Sequence, residues 1–514
     1  MGFVEDSMSS VVTLPGAPAH RGLSHWMERV LKELEHVRKD PAADPVHDLR
    51  VAIRRCRSLA AVLQEVDPDP AWREMRQVPK KLFRRLGALR DAQVMDEWVK
   101  QLAPSEDPLR TKLHTAFEAN EPDLRQRVLR AVEKFEEKYW ARLEKKLRKR
   151  ARLVPSSSLT AQCLAVERFE EAKELHTRAQ RTDKPQAWHE LRIGLKRLRY
   201  TVESLLPEQY ALWSENLKRL QDLLGEVHDL DVLAGTVKDV ASEDTTEVQN
   251  TWEETIHRER SQRIETYRQL TLGKTSLWND WRHGLPQGKR LALAAMARLR
   301  ATARATDSRP RRTAQISRIS IALFDALRRA HAAPAFSEHA MRRVLRAAAR
   351  LHSVSATDRP KAPQKAALRF LRDLPLPPSW TYEEWELLGW TVRYHRGPEP
   401  TAEGGHFSRL NEDQQKNIQA LAGVLRLARA LRKCDVNGCQ GMRAEKSADA
   451  VILHVPGLTD SVENAARLAA AKHLLDTYIA KPLLLKPALR LENVVDLLEQ
   501  FQQHQQVATA AASD

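Results

Sequence analysis

The chain is poor in cysteine and has no long apolar run. Its four cysteines, Cys56, Cys163, Cys434 and Cys439, are too few for a disulfide framework in 514 residues, which points to a reducing compartment. Cys434 and Cys439 lie close together but have no second Cys or His pair at ligand spacing, so no zinc site is expected. Nowhere do about 18 apolar residues follow without interruption, and no charged start leads into an apolar stretch. The expectation is a cytoplasmic protein, neither secreted nor membrane-spanning. A P-loop, a Gly-rich phosphate cradle and a legible Ser-His-Asp grouping are also missing, which excludes the enzyme classes built on them.

Charge of both signs is abundant. Lys and Arg number 84 against 68 Asp and Glu, giving a formal net charge of +16. An excess of this size suits a polyanionic partner: nucleic acid, polyphosphate or an anionic surface. At about 150 residues per domain, the length suggests three or so structural units.

The chain is organised around a segment that it writes twice. HDLRVAIRRCRSLAAVL at 47–63 returns as HELRIGLKRLRYTVESL at 189–205. On a helical wheel counted from His47, Arg50, Arg54 and Arg57 fall at roughly 300°, 340° and 280°, with Leu49, Ile53, Cys56, Ala60 and Leu63 opposite. His189, Arg192, Lys196 and Arg199 repeat the cationic stripe, and Leu191, Leu195, Leu198 and Leu205 back it. Arg55 and Arg197 extend the basic character of the two segments.

A second pair follows at a similar interval. KKLFRRLGALRDAQV from Lys80 matches KRLQDLLGEVHDLDV from Lys218. Lys80, Lys81, Arg84, Arg85 and Arg90 supply cations in the first, and Lys218, Arg219 and His228 in the second. Asp91 and Asp229 are read as orienting neighbouring arginines. The repeat unit is therefore at least two amphipathic helices, each with a polar, mostly cationic stripe.

These paired motifs, His-x-x-Arg-x-x-x-[Arg/Lys]-[Arg/Lys]-x-Arg and then Leu-Gly-x-x-[Arg/His]-Asp, resemble the CHAD domain, the conserved histidine α-helical domain, over roughly residues 20–300. The resemblance implies helical bundles that bind inorganic polyphosphate along a basic surface. On that basis the anion site comprises His47, Arg50, Arg54, Arg55, Arg57, Lys80, Lys81, Arg84, Arg85, Arg90, His189, Arg192, Lys196, Arg197, Arg199, Lys218, Arg219 and His228. No cofactor and no metal are implied there. Polyphosphate ranks above nucleic acid because aromatics do not alternate with the cations, as base stacking would require; Phe83 and Tyr200 stand near the stripes but not in series.

The expected fold class is mainly α. A disordered leader (1–20) precedes two CHAD-like helical halves (21–154 and 155–300). An Arg, Thr, Ser and Pro linker (301–313) leads to a third unit (314–514), mostly helical with a strand at AVILHV and a partner near 481–485. The basic run KKLRKR at 145–150 reads equally well as a solvated face or as anion-binding surface. Pro122 is taken to start a helix.

The third unit resembles the HD-type helical domain of exopolyphosphatases and guanosine pentaphosphate phosphohydrolases. The resemblance rests on LFDAL at 323–327, RAAARLHS at 346–353, WELLGWTVRYHRGPEP at 385–400 and LAGVLRLARAL at 421–431. Where that family binds metal through His-Asp, this chain has His352-Ser353, and where it often has Ala-Asp, this chain has Ala428-Arg429. The implied metal site is read as lost. The competing reading is a metal-assisted phosphohydrolase with His352 as a surviving ligand and Asp358 or His395 as helpers. The expectation is a non-catalytic polyphosphate-binding protein with a degenerate third unit serving dimerisation, partner docking or auxiliary anion contact. Arg342, Arg343, Arg346 and Arg350 could extend its basic surface.

Overall fold

The computed structural model describes residues 22–240, 246–355, 361–401, 407–436 and 440–488. The expected leader, Asp358, Cys439 and the last part of the third unit lie outside the described residues. The chain divides into two compact units, residues 1–294 and 295–514. Both are helical, with one three-stranded sheet in the second.

The first unit begins with α1 (Leu23–Lys39), α2 (Ala43–Gln64), α3 (Pro70–Gln77), α4 (Lys80–Leu102), α5 (Pro108–Glu133) and α6 (Glu137–Ala151). It continues with α7 (Leu159–Thr182), α8 (Pro185–Leu205), α9 (Pro207–Val240), α10 (Thr246–Thr271), α11 (Leu277–His283) and α12 (Gly288–Thr306), within which the division falls. Proline starts many of these helices because its fixed φ suits the first turn, where its missing N–H is not needed. At α3 and α5 the preceding aspartate completes the start: Asp69 accepts from the Ala71 N–H and Asp107 from the Arg110 N–H, both at 2.8 Å. Pro122 breaks this rule. It lies inside α5, exposed on the outer face, and the helix runs through it. The helix expected to begin there begins instead at Pro108.

The repeated segments are α2 and α8, and the second repeat pair lies in α4 and α9. Copy packs on copy: α2 against α8 and α4 against α9. The apolar stripes are buried as the wheel requires, with Leu49, Ile53, Cys56, Leu191, Leu195 and Leu198 all fully inaccessible. Each such side chain is worth roughly 1.5–3 kcal/mol on burial. A cluster of Met95, Trp98 and Val99 with Leu109, Leu113, Leu230, Leu233, Trp252 and Ile256 ties α4, α5, α9 and α10 together. The basic run at the end of α6 is partly turned inward. Arg150 holds Asp67, 2 % exposed, which also accepts from Trp72 Nε1 at 2.7 Å, and Lys146 pairs with Asp69 at 2.9 Å.

The second unit continues with α13 (Pro310–Arg329), α14 (His339–Leu351), α15 (Pro363–Arg372), α16 (Tyr382–Tyr394), α17 (Glu412–Lys433), β1 (Arg443–Lys446), β2 (Val451–Pro456), α18 (Val462–Ile479) and β3 (Leu483–Ala488). Residues 301–306 belong to α12 and 310–313 to α13, so only 307–309 of the stretch read as a linker are outside helices. β2 is the AVILHV strand. It pairs antiparallel with β1 and parallel with β3, and α18 makes the crossover that a parallel pair demands.

Candidate functional site

The cationic ridges of α2 and α8 face one groove. Its two adjoining stretches, of about 770 and 670 Å³, share Arg54, Phe83 and Lys196. The first stretch adds Arg57, Arg76, Arg168, Arg197 and Tyr200; the second adds His47, Arg50, Arg90, Arg192, His228 and the acids Asp91, Asp222, Glu226 and Asp229. All four repeat helices contribute, so the groove is a product of the duplication.

Several of these cations are half-buried without an ion-paired acid. Among the described residues, no hydrogen bond or ion pair holds the charged ends of Arg54, Arg192 or Lys196, and Nε of Arg54 and Arg192 is shielded from solvent with no partner. Burial, reinforced by Arg192, Arg54 and Arg50, pushes the Lys196 ammonium down to about 7. Burial likewise lowers Arg50, Arg57 and Arg192, the last despite Asp229. Taking a cation out of water unpaired is costly, and the neighbouring like charges raise that cost. A groove that concentrates such groups is complementary to a polyanion.

Other cations are occupied internally. Arg50 reaches Asp91 at 3.7 Å, and Arg50 and Arg57 approach the Phe83 ring at 5.2 and 4.9 Å from its centroid. Arg90 bonds Glu97 at 3.2 Å, Arg197 bonds Glu171 at 2.6 Å, and Arg168 pairs with Glu65 and Glu171. Glu226 is engaged by Arg263 at 2.6 Å. Free positive charge is therefore densest where the two stretches meet, at Arg54, Lys196 and Arg192, with Arg57 beside them.

Not every residue assigned to the anion site from sequence lines this groove. Arg55 sits on another side of α2, between the rings of Trp26 and Tyr200 at 4.9 and 4.8 Å, and pairs with Glu203. That makes it an interior tie. Lys80, Lys81, Arg84, Arg85, His189, Arg199, Lys218 and Arg219 are not among the residues lining either stretch. Wheel position explains much of this. The groove side of α4, with Phe83, Gly87, Arg90 and Val94, centres near roughly 310° from Lys80, whereas Lys81 and Arg85 point to roughly 100° and 140°. Arg76 of α3, within hydrogen-bond reach of Gln64 Oε1 at 3.1 Å, lines the groove and was not predicted. It lies outside both repeats, so the duplication gave no signal for it.

The motif histidines do not add charge near neutrality. His189 Nδ1 and His228 Nδ1 are 3.2 Å apart, an arrangement in which one ring must accept. Burial, with Arg192 and the facing His189, drives His228 down to about 4. His47 is lowered by burial and then by Arg54 and Arg90.

The strongest candidate for a metal centre lies in the second unit. His352 and His395 come together, with ring centroids 5.1 Å apart, but the side chains around them are Arg309, Arg312, Ser353, Arg396 and Arg429, with Asp307 as a single described carboxylate. Arginine repels a divalent ion and a serine hydroxyl ligates it poorly, so this donor set does not fit one. Among the described residues, no group of three or more His, Cys, Asp or Glu could hold a metal ion. The arginines proposed as extra basic surface are partly consumed: Arg342 bonds Asp325 through two nitrogens at 2.7 Å, and Arg343 pairs with Glu384. Cys56, Cys163 and Cys434 are buried free thiols, and no helix among the described residues is long and apolar enough to cross a membrane.

Residues 21–238 match the family model described as the CHAD domain, a match covering less than half of the chain. No curated protein matches the chain. Among solved structures, it is similar to the crystal structure of the CHAD domain from the plant Ricinus communis, at 21% identity over 51% of this chain and 88% of that chain, with a TM-score of 0.34. The segment matched by the family model contains both repeat copies and the groove between them, and the chain therefore contains a CHAD domain over residues 21–238.

Proposed function

We propose that the first unit binds inorganic polyphosphate in the groove between the repeat copies, without catalysis. The observation that carries this reading is the meeting of Arg54, Arg192 and Lys196 from two repeats in one groove, half-buried and with no ion pair or hydrogen bond on their charged ends among the described residues. Arginine presents a planar fork suited to phosphate oxygens and lysine a mobile point charge, so successive phosphates can each find a donor. The contact set is Arg54, Arg57, Arg192 and Lys196 at the centre, with Arg50, Arg76 and His47 beside it. Besides the imidazoles of His47 and His228, the rings lining the groove among the described residues are Phe83 and Tyr200, and Phe83 is already covered by two arginines. That leaves little for bases to stack on and ranks polyphosphate above nucleic acid.

The second unit is proposed to resemble an HD-type domain that has lost metal chemistry and serves docking, self-association or further anion contact. A cytoplasmic role in organising polyphosphate granules, sensing phosphate or regulating an enzyme fits this binding. The test is capture on immobilised polyphosphate of the wild type beside an Arg54→Gln, Lys196→Met variant, with RNA as competitor at matched charge. Retention of the wild type alone, displaced by free polyphosphate and not by RNA, supports the reading. Equal retention of the variant, or displacement by RNA first, overturns it.

A further inference from the structure

The second unit contains a cleft of about 330 Å³ that nothing in the polyphosphate reading uses. It is lined by Arg309 and Arg312 at the start of α13, by His352 and Ser353 at the end of α14, by His395 and Arg396 at the end of α16, and by Arg429 of α17. Four guanidinium groups share the cleft with a single described carboxylate, Asp307, which accepts from the Arg309 N–H at 2.8 Å. Among the described residues, no hydrogen bond or ion pair holds the guanidinium of Arg312 or Arg429. The cations nearest Arg429 are Arg396, Arg312, Arg426 and Arg432. Arg426 is spoken for by the carbonyls of Tyr394 and Gly397, at 2.7 and 2.8 Å.

The two histidines complete the cleft. His395 is 2 % exposed and His352 5 %. Each donates Nδ1–H to a backbone carbonyl three residues back, His352 to Ala349 at 3.0 Å and His395 to Val392 at 2.5 Å. A carbonyl can only accept, so Nδ1 carries the ring proton and Nε2 of a neutral ring is left as an acceptor. The Thr313 and Ser353 hydroxyls, 3.1 Å apart, add adaptable donors at the wall.

We propose that this cleft binds an inorganic phosphate that keeps one hydroxyl near neutrality: hydrogen phosphate or pyrophosphate. Arg312 and Arg429 hold the charged oxygens, and the His352–His395 pair accepts a hydrogen bond from a protonated phosphate oxygen. The excess of guanidinium over carboxylate favours a dianion over a monocarboxylate. An acceptor beside the donors favours hydrogen phosphate over sulfate, which has no hydroxyl to offer at neutral pH. The site is independent of the groove of the first unit, and the test keeps them apart.

The experiment is calorimetric titration of the full chain carrying Arg54→Gln and Lys196→Met, which disables the groove, with phosphate, pyrophosphate, methyl phosphate, sulfate and acetate in turn. One saturable site for phosphate and pyrophosphate is expected, with sulfate and the methyl phosphate dianion, neither of which carries a hydroxyl, at least tenfold weaker and acetate without effect. Adding Arg312→Gln and Arg429→Gln should weaken phosphate binding at least tenfold while the melting temperature stays the same or rises. If that variant fails to fold, the more exposed pair Arg312→Gln and Arg396→Gln replaces it, with the same expected loss. The relative affinities of free phosphate and pyrophosphate identify the source of the group. No saturable binding in the groove-disabled chain, unchanged affinity in both arginine variants, or sulfate binding as tightly as phosphate would overturn the proposal.

Discussion

Arg54 of the first repeat and Lys196 of the second occupy equivalent positions in their helices, and both line both stretches of one groove. Each lowers its neighbours' affinity for protons, and among the described residues neither has a counter-ion. Folding therefore brings like charges together, and the proposed polyanion would relieve the repulsion.

Replacing Lys196 with methionine should move stability and binding in opposite directions. Removing a buried, uncompensated ammonium while keeping the stem's volume should raise the melting temperature by a few degrees. The same change should weaken polyphosphate binding about tenfold or more, since a charge-assisted hydrogen bond is worth roughly 1.5–3 kcal/mol. Thermal melts paired with titrations check this; a variant that is both less stable and equally tight refutes the assignment.

Binding should strengthen as pH falls. Lys196, which faces Arg192, Arg54, Arg50 and Asp229, titrates at about 7 in the free protein. A phosphate beside it raises that value, so the bound form carries more protons above pH 7. Affinity should be level below about 7 and decline as pH rises from there toward the value of the complex. Between about 7 and the ordinary lysine value, the unfolded chain holds more protons at this group, so it makes the free protein's stability rise with pH. Calorimetry in buffers of different ionisation enthalpy should register proton uptake at pH 8, and its absence would remove Lys196 from the contact set.

Affinity should fall steeply with salt. With roughly four to six phosphate contacts and a slope of about −0.7 per contact for a flexible single strand, the logarithm of affinity should lose about 3–4 units per decade of salt. Fluorescence anisotropy of end-labelled polyphosphate across salt concentrations measures the slope. Arg54→Gln should lower its magnitude by about one contact.

The two repeat glycines should respond differently to alanine. A methyl on Gly87 would meet Arg50 Nη1 at 2.6 Å, whereas one on Gly225 would meet nothing within 4 Å. Gly87→Ala should displace Arg50 from its place near Asp91 and weaken binding several-fold. Gly225→Ala should leave affinity within about twofold and, as alanine favours helix over glycine, stabilise the chain by up to about 1 kcal/mol. Equal effects would mean that Arg50 takes no part.

Much of the first unit was legible because duplication repeats its own evidence. His47 to Leu63 and His189 to Leu205 show the same spacing of cations and leucines, and both segments form helices with that apolar side buried. Which cations stay free was not legible. Arg55 differs from Arg54 by one position, yet a turn of about 100° sends it between two rings and onto Glu203. Helix α5 continued through Pro122 because that residue faces outward, a tertiary circumstance that no local rule sees. β1, Arg-Ala-Glu-Lys, has no apolar alternation and forms only because β2 offers it an edge. In the second unit, the convergence of four arginines on two histidines was not legible, because these residues lie on four separate helix ends and needed the fold to bring them together.

The packing of copy on copy, α2 against α8 and α4 against α9, has a consequence for traffic along the groove. A polymer of identical links has no sequence to read, and a receptor made of two near-equivalent halves has little means of telling one end from the other. Such a pair should exchange registers by short slides, so that a strand can creep through without ever letting go, and length should govern residence time more than any single contact does.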